Sequence, residues 1–471
     1  MTQPPPQDRG STRRRATLRR RPLVITAAAI LAASAATGAL IATQDRPAPS
    51  AQTRPAPSAQ TEPDPGGQPR LRAVDGGQEY YARFEPSLPS DPDFFPIGVY
   101  FESVLEPGDA ELDKAAGLNL YVELTSNSRP EVIHAAGMHA IHSQVSIAGP
   151  ETVGWLLSDE TDMWAGAGDA DWSGNHPGEG EVCLPQGARC GYTVLERLGE
   201  QLPNDQRLRY MNYGKGVLFW QTREEAARFV NQFQDVVSAD AYWYTDANVC
   251  SPTEGGALLG APSTLPDSEC HRAANYGLTV DHVRSLVRPA GAKPVWAFVE
   301  LGHPFSEDDW PTITPEQVRA AVWSSLIHGA RGIVYFNHSF GGPCATQHVL
   351  REDCYADTRE TVTRLNNQIT RLAPVLNAPF VDDMTTADGS VDFMTKYADE
   401  SVYVFAAATD QSGGEATFSV RCFDDTQVTV VDESRSLDMV DGRFTDDFVN
   451  GEAVHLYRLE GQPSCPLSAQ Q

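Results

Sequence analysis

Two stretches of the sequence end an apolar run on carboxylic acids. The run in TVGWLLSDET (residues 152–161) closes on Asp159 and Glu160, and the run in KPVWAFVELG (residues 293–302) closes on Glu300. A short apolar run of this kind is typical of a buried strand in a parallel sheet. Two carboxyl groups that flank a glycosidic bond can act as the acid and as the nucleophile or base of its hydrolysis. The sequence therefore offers Glu160 and Glu300 as a candidate catalytic pair.

Eight short apolar runs, with helical stretches between many of them, would have to position these acids. The runs cover residues 96–103, 118–125, 138–146, 153–159, 208–214, 238–245, 294–301 and 331–338. Repeated βα units predict a parallel sheet, and eight strands over roughly 250 residues match a (β/α)8 TIM barrel. A doubly wound open sheet is the alternative. In the barrel, Glu160 ends the fourth strand and Glu300 the seventh, at the face where barrel enzymes carry their chemistry.

The rest of the chain is organised around this barrel. After residue 376, apolar and polar residues alternate over short stretches that Gly and Asp turns separate, which predicts an antiparallel β-sandwich. Before the barrel, a Pro-rich segment that repeats RPAPSAQT predicts a semi-extended linker. The predicted domains are an export signal or membrane anchor (1–45), the linker (46–75), the catalytic barrel (76–376) and the β-sandwich (377–465).

The first 45 residues have the features of an export segment. Arginines cluster at 13–15 and 19–21, and residues 23–43 contain no charged side chain. An apolar segment of this length fits an uncleaved membrane anchor as well as a cleaved signal. Both alternatives place the rest of the chain outside the cell, either secreted or anchored to the outer face of the membrane.

Cysteine usage and charge agree with an extracellular protein that does not bind nucleic acid. Eight cysteines suit an oxidising compartment, and they fall into neighbouring couples. The predicted disulfides are Cys183–Cys190, Cys250–Cys270, Cys344–Cys354 and Cys422–Cys465. The formal net charge of −27 would repel phosphate backbones, which argues against a nucleic-acid partner. The oligomeric state is left open.

The sequence predicts neither a metal site nor a cofactor. His139 and His142 lie three residues apart on a predicted strand and therefore on opposite faces. No GxSxG, Walker, GxGxxG or EF-hand pattern occurs, so serine-hydrolase, nucleotide and calcium-loop chemistry have no support. The expected partner is a carbohydrate substrate.

The motifs VGWLLSDET and VWAFVELG, followed by a β-sandwich, carry a resemblance to a known group. They resemble the (β/α)8 retaining glycoside hydrolases of clan A, here as an exported protein of actinobacterial type. The resemblance implies that Glu160 is the acid/base and Glu300 the nucleophile of a glycoside hydrolase with an extracellular or cell-wall substrate. It also implies that a tyrosine of strand six hydrogen-bonds the nucleophile, and Tyr244 is favoured over Tyr242 because it is nearer the strand end.

One residue departs from that group, in which an asparagine usually precedes the acid/base. Asp159 stands there instead. An Asp-Glu pair on strand four is similar to the hexosaminidases, in which the Asp orients the substrate's acetamido group as internal nucleophile and the Glu is the acid. Glu300 would then only bind sugar. Asp159 alternatively keeps Glu160 protonated by like-charge repulsion. A non-catalytic glycan-binding surface protein is the remaining alternative.

Other side chains at or just after the predicted strand ends are candidates for substrate binding. Trp164 and Trp310 follow the two acids and can stack on sugar faces, whereas the histidines and amides can contact hydroxyl groups. The predicted substrate-binding residues are Asp159, Asn212, Tyr213, Tyr242, Tyr244, Trp164, Trp310, His303, Asn337 and His338.

Overall fold

The computed structural model describes residues 68–469, so the predicted export segment and most of the predicted linker lie outside the described residues. A short strand, β1 (Arg70–Arg72), comes first. The next strands are β2 (Ile97–Glu102), β3 (Leu120–Leu124), β4 (His139–Ile141), β5 (Thr152–Asp159), β6 (Asp171–Trp172), β7 (Cys183–Leu184), β8 (Leu208–Tyr213), β9 (Val236–Ala239), β10 (Val295–Glu300) and β11 (Ile333–Phe336). Of the strands β2 to β11, all except the β6–β7 hairpin form one parallel sheet, which closes in the order β10-β11-β2-β3-β4-β5-β8-β9. The predicted barrel is confirmed, and the open sheet is wrong.

Helices lie between the barrel strands in the chain. They are α1 (Pro107–Ala115), α2 (Pro130–Ala136), α3 (Thr161–Trp164), α4 (Gly191–Gln201), α5 (Arg223–Gln232), α6 (Gly255–Leu258), α7 (Asp267–Cys270), α8 (Ala274–Leu286), α9 (Pro315–Ile327) and α10 (Ala356–Leu376), which follows the last strand. At the start of α9, the Thr314 hydroxyl accepts from the Gln317 backbone N–H at 3.2 Å, and the Gln317 side chain accepts from the Thr314 N–H at 2.9 Å. This reciprocal cap fixes where the helix begins.

Alternation along β10 shows how the barrel divides its two faces. Trp296 and Phe298 point into the barrel interior and pack there with Tyr210 and Val236. Val295, Ala297 and Val299 belong to the larger core that includes the surrounding helices. Since side chains alternate along a strand, Glu300 follows Trp296 and Phe298 on the interior face. The strand therefore delivers its terminal acid to the barrel mouth.

The C-terminal region is the predicted antiparallel β-sandwich. Its strands are β12 (Phe380–Asp382), β13 (Thr385–Asp388), β14 (Val391–Ala398), β15 (Ser401–Ala408), β16 (Gly414–Val420), β17 (Thr426–Val430), β18 (Arg435–Met439), β19 (Arg443–Phe448), β20 (Val454–Glu460) and β21 (Ser468–Ala469). One sheet has the order β18-β17-β20-β15-β14-β12-β1-β21, and the other has the order β13-β16-β19. A buried apolar cluster fills the space between the two sheets, and its members include Val404, Ala406, Phe418 and Phe444.

Strand β1 belongs to this sheet although it precedes the barrel in the chain. Arg70–Arg72 pairs antiparallel with Phe380–Asp382 and, on its other edge, parallel with Ser468–Ala469. Arg72 also forms an ion pair with Asp382 at 2.8 Å. These residues fall in the range predicted as linker, so part of that range is a sandwich strand.

His328, at the end of α9, joins the barrel to the sandwich. Its Nδ1 lies 2.6 Å from the Asp281 carboxylate on α8, and its Nε2 lies 3.1 Å from the Asp392 carboxylate on β14. A Cβ at position 277 would lie 2.3 Å from the imidazole, so Gly277 lets α8 approach this closely. Burial opposes the charged imidazole, yet the two carboxylates prevail and raise the pKa of His328 to about 10.

All four predicted disulfides are present, which fits an extracellular protein. The couples that begin at Cys183, Cys250 and Cys344 lie in the loops after the fourth, sixth and eighth barrel strands. Among residues 68–469, no helix is long and apolar enough to cross a membrane. The predicted anchor at 23–43 lies outside that range.

Candidate active site

Glu160 stands immediately after β5, at the C-terminal mouth of the barrel. The pairing of β5 with β8 shifts register between Leu156 and Asp159, and Glu160 then adopts a left-handed conformation with φ 48°. A non-glycine residue in this conformation carries strain, and such strain often occurs at functional sites. The Glu160 N–H donates to the Asn212 carbonyl at 3.0 Å, and α3 begins directly afterwards. The bulge and the turn together set the direction of the Glu160 side chain.

Gly214, just after β8, provides the space in which the Glu160 carboxyl group lies. A Cβ at position 214 would stand 2.9 Å from Glu160 Oε1 and 2.4 Å from the Met163 sulfur. Because neither distance is tolerable, an alanine would displace one or both side chains.

We expect Gly214→Ala to lower turnover at least about tenfold while the protein still folds, because near 1 Å of misplacement of a catalytic group costs up to about a hundredfold. Gly108→Ala on α1 is the matched control, since nothing stands within 4 Å of its added Cβ. Initial rates and thermal unfolding of both variants check the expectation. Parent-like activity of Gly214→Ala would show that the position of Glu160 does not matter.

The surroundings of Glu160 favour its protonated form. Burial is the largest cause, and the negative charges of Asp240, Asp159 and Asp162 add to it, so that the pKa of Glu160 lies well above its usual range. Lys215 acts in the opposite direction, but its ammonium group is already paired with Asp246 at 2.7 Å and with Glu254 at 3.2 Å. A carboxyl group that keeps its proton near neutral pH is suited to general acid catalysis.

A hydrogen-bonded bridge of Asp159, Asn212 and Asp240 crosses the mouth from the fourth strand to the sixth. The Asn212 amide donates to Asp159 at 3.0 Å and to Asp240 at 2.9 Å. Its oxygen accepts from the Ser238 hydroxyl at 2.6 Å, which fixes the orientation of the amide. The structure thus brings the predicted residues Asp159 and Asn212 together, and it adds Asp240. Burial and the charge of Asp159 raise the pKa of Asp240 to about 8.

Glu300 is fully buried at the end of β10 and is held from one side. Its Oε1 accepts from the Tyr276 hydroxyl at 2.5 Å and from the Tyr244 backbone N–H at 3.2 Å. Its Oε2 has no hydrogen-bond partner among residues 68–469. Burial raises the pKa of Glu300 to about 7, against the opposing effect of the Tyr276 hydrogen bond. One carboxylate oxygen is therefore anchored and the other is left without a protein partner.

The tyrosine that hydrogen-bonds Glu300 is not the one expected from the sequence. Strand six ends at Ala239, so Tyr244 lies in the following loop and offers only its backbone N–H to Glu300. Its ring stacks on that of Tyr276, with centroids 5.7 Å apart, and Tyr276 supplies the hydroxyl. Tyr276 lies in the first turn of α8, far in sequence from any predicted strand end. The positions of the strand ends therefore could not indicate it.

The charges of both candidate acids act on Tyr242. Its hydroxyl is hydrogen-bonded to Asp240, and burial followed by the charges of Asp240, Glu160, Asp159 and Glu300 raises its pKa well above the usual range. Because a Coulomb interaction weakens with distance, Tyr242 lies near the carboxylates of both strands. Tyr242 is half-buried and packs against the apolar cluster of the barrel interior.

Aromatic side chains continue from Tyr242 into the loop after β10. The Tyr242 ring lies 5.8 Å from that of Phe305, which lies 4.5 Å from the half-buried ring of Trp310. On the other side of the mouth, the half-buried Trp164 donates its indole N–H to the Asp159 carbonyl at 2.9 Å. Both predicted tryptophans are therefore half-buried residues of the loops that follow the two acids.

Four predicted substrate-binding residues have polar side-chain atoms that are hydrogen-bonded within the protein, and their contact with a substrate stays a prediction. Tyr213 is fully buried toward the helices, and its hydroxyl donates to the Phe229 carbonyl at 2.7 Å. His303 is bound through both ring nitrogens, to Thr312 and to the Glu307 carbonyl. Asn337 donates to Glu102 at 2.6 Å, and His338 Nε2 is bound to the Phe101 carbonyl. A position after a strand end also suits a residue that anchors the next loop, and sequence alone does not separate the two roles.

Comparisons with known proteins give structural likeness only. No protein-family model and no curated protein matches the sequence. A glycoside hydrolase family 5 structure from Bacteroides vulgatus is 10% identical, covers 83% of this chain and 94% of that chain, and has a TM-score of 0.46. A GH30 endoxylanase from Clostridium papyrosolvens is 12% identical, with coverage of 78% and 96% and a TM-score of 0.35. An Anoxybacillus alpha-amylase is 10% identical, with coverage of 79% and 99% and a TM-score of 0.38. These structural neighbours are glycoside hydrolases, and the strand pairing by itself establishes the barrel of this chain.

Proposed function

We propose that the protein hydrolyses glycosidic bonds of an extracellular or cell-wall glycan with retention of anomeric configuration. The observation that carries the proposal is the delivery of Glu160 and Glu300 to one barrel mouth by the fourth and seventh strands. Their surroundings also differ, as two separate roles require. Glu160 is held toward the protonated form by burial and by neighbouring carboxylates, whereas Glu300 accepts from Tyr276 and keeps one oxygen without a partner among residues 68–469.

The proposed reaction has two steps. In the first, the free oxygen of Glu300 attacks the anomeric carbon while Glu160 gives its proton to the leaving oxygen, which forms a glycosyl ester and releases the aglycone. In the second, Glu160 takes a proton from water as the water attacks the anomeric carbon, and Glu300 leaves as a carboxylate. The half-buried rings of Trp164, Trp310 and Tyr242 would stack on the sugar, and Asp159 would accept from its hydroxyl groups.

Turnover of a panel of aryl glycosides and cell-wall polysaccharides tests the proposal, and NMR of the first-formed sugar gives the anomer. We expect hydrolysis of at least one glycoside and an initial product with the configuration of the substrate. An inverted product would overturn the assignment of Glu300 as nucleophile. Saturable glycan binding without turnover of any substrate would overturn the enzyme assignment itself.

The pH dependence of kcat/KM should be bell-shaped, with a rising limb near pH 7. Glu300 must be ionised to attack and has a pKa of about 7, and Glu160 must be protonated and has a higher pKa. Tyr276→Phe removes the hydroxyl that stabilises the ionised Glu300. A hydrogen bond to a charged group contributes about 1.5–3 kcal/mol, so the rising limb should move about 1–2 pH units upward.

Tyr244→Phe is the matched control for this shift. It removes the hydroxyl of the neighbouring ring and retains the backbone N–H that Glu300 accepts. Full pH profiles of both variants check the expectation, with the limb moved only in Tyr276→Phe. Coincident profiles for Tyr276→Phe and the parent would mean that Glu300 does not set the rising limb.

A further inference from the structure

A polar cleft of about 720 Å³ opens at the N-terminal ends of the barrel strands, the end opposite to Glu160 and Glu300. It lies between a short 3-10 helix (Tyr80–Arg83) and the segments that begin β8, β9 and β10. Its charged lining residues are the cations Arg83, Arg207, Arg209 and Lys293 and the carboxylates Asp205 and Asp235. The cleft therefore has an excess of two positive charges, in a chain whose net charge is −27.

Groups of the cleft wall already satisfy its two carboxylates. Asp235 accepts from the Arg209 backbone N–H at 2.9 Å and lies 3.6 Å from the Arg83 guanidinium. Asp205 accepts from the Trp155 indole N–H at 3.1 Å and pairs with Arg207 at 2.5 Å. The two carboxylates of the cleft are therefore paired with Arg83 and Arg207. Neither of them forms an ion pair with the other two cations.

Arg209 and Lys293 are the cations that the wall leaves uncompensated. The half-buried Arg209 guanidinium makes no hydrogen bond or ion pair within residues 68–469. The Lys293 ammonium donates to three backbone carbonyls, those of Gln234 at 2.6 Å, Val230 at 3.0 Å and Asn231 at 3.4 Å, and it has no carboxylate partner in that range. Burial and the nearby Arg83 lower the pKa of Lys293 to about 8, although Asp235 acts in the opposite direction. A bound anion would stabilise both cations.

We propose that this cleft binds a phosphate-bearing ligand, with Arg209 as its direct partner and with Arg83 and Lys293 completing the charge. A guanidinium fork matches the geometry of phosphate oxygens, and a phosphate dianion equals the excess charge of the cleft. Arg83 is already oriented, because its guanidinium lies over the Tyr80 ring at 3.9 Å. The volume suits a small phosphoester or one unit of a polyol-phosphate polymer, which share this chemistry. This site is independent of the proposed glycosidase activity.

Calorimetric titration of the intact protein with inorganic pyrophosphate and with a poly(glycerol phosphate) chain tests the proposal. We expect saturable binding of at least one probe at about 0.15 M salt, weaker as salt screens the charges. Arg209→Gln should weaken binding about tenfold or more, since a charge-assisted bidentate contact is lost. Arg364→Gln is the matched control, because Arg364 pairs with Glu360 on α10, outside the cleft, and its loss should leave binding unchanged.

A second measurement, the chemical modification of Lys293, tests the proposal even if Arg209→Gln folds poorly. The rate at which an acylating reagent modifies Lys293 near pH 8 should fall when the probe is bound, and Arg83→Gln should reduce that protection. If the affinity per phosphate is higher for the poly(glycerol phosphate) chain than for pyrophosphate, the ligand is a polymer. If the two affinities are equal, the ligand is a small phosphoester, and both results support the proposal. Absence of saturable binding by both probes, or parent-like affinity of both Arg209→Gln and Arg83→Gln, would overturn it. Neither readout depends on glycoside turnover.

Discussion

Glu160→Gln should lower kcat by about 10²–10⁴, because a glutamine cannot give a proton to the leaving oxygen or take one from water. Glu300→Gln should lower it by at least as large a factor, because no covalent glycosyl intermediate can form. The two variants should differ with the leaving group. An aryl glycoside whose phenol leaves without protonation should restore the first step in Glu160→Gln, as a burst of phenol, and should restore nothing in Glu300→Gln.

Rapid-mixing assays of phenol release check these expectations, with Glu224→Gln on the exposed face of α5 as the control that should behave like the parent. Asp159→Asn separates the mechanisms. In the two-glutamate reaction it perturbs the bridge to Asn212 and costs less than either glutamate variant. If Asp159→Asn and Glu160→Gln abolish activity on N-acetylated substrates while Glu300→Gln retains it, the acetamido-assisted mechanism is correct and Glu300 only binds sugar.

His328→Leu should lower the free energy of unfolding by about 3–5 kcal/mol, the usual cost of removing one partner from a buried ion pair. The imidazole and the Asp281 carboxylate are both buried, and Asp392 belongs to the sandwich, so the loss acts on the contact between the two domains. Removal of the imidazole costs more free energy than the ion pair contributes to stability, because the carboxylates that remain are poorly solvated and have lost their partner.

The stabilisation by His328 should decrease as the pH rises. The pKa of His328 rises from an ordinary 6.5 to about 10 in the folded protein, so the folded state holds this proton more tightly. Its contribution is complete below about pH 6.5 and is lost as the pH rises through about 10. Urea unfolding of the parent and of His328→Leu should therefore differ most below about pH 6.5 and converge near pH 10. A constant difference across that window would mean that the imidazole is neutral in the folded protein.

The barrel was predictable because its signals are local. Each apolar run becomes one strand in the predicted order, and Glu160 and Glu300 lie where the sequence predicts them, at the ends of the fourth and seventh strands. Asp240 was within reach of the same logic. It stands two residues after Ser238 and therefore points to the same face of the sheet. The predicted strand continued to residue 245, which placed the strand end near Tyr242 and Tyr244 instead of near Asp240.

The contacts that hold Glu300 and those that join the two domains depend on residues distant in sequence. Tyr276 reaches Glu300 from the start of a helix, and His328 meets Asp392 across 64 positions. Neither lies in a pattern of spacing or composition, because the fold brings these residues together only after the barrel has closed and the sandwich has docked. The surroundings of Tyr213 and His303 were not predictable for a related reason, since only the packing of the next loop decides whether a strand-end side chain faces the mouth.

Strand β1 has a mechanical consequence. It lies between β12 and β21, so residues 70 and 468 are neighbours in one sheet and the whole barrel is an insertion between two strands of the sandwich. Tension applied between residues 68 and 469 would load the parallel β1–β21 pair in shear before it reached any barrel strand. If the segment before residue 68 is tethered, we expect pulling forces to pass through the edge of the sandwich and to leave the mouth around Glu160 and Glu300 undistorted.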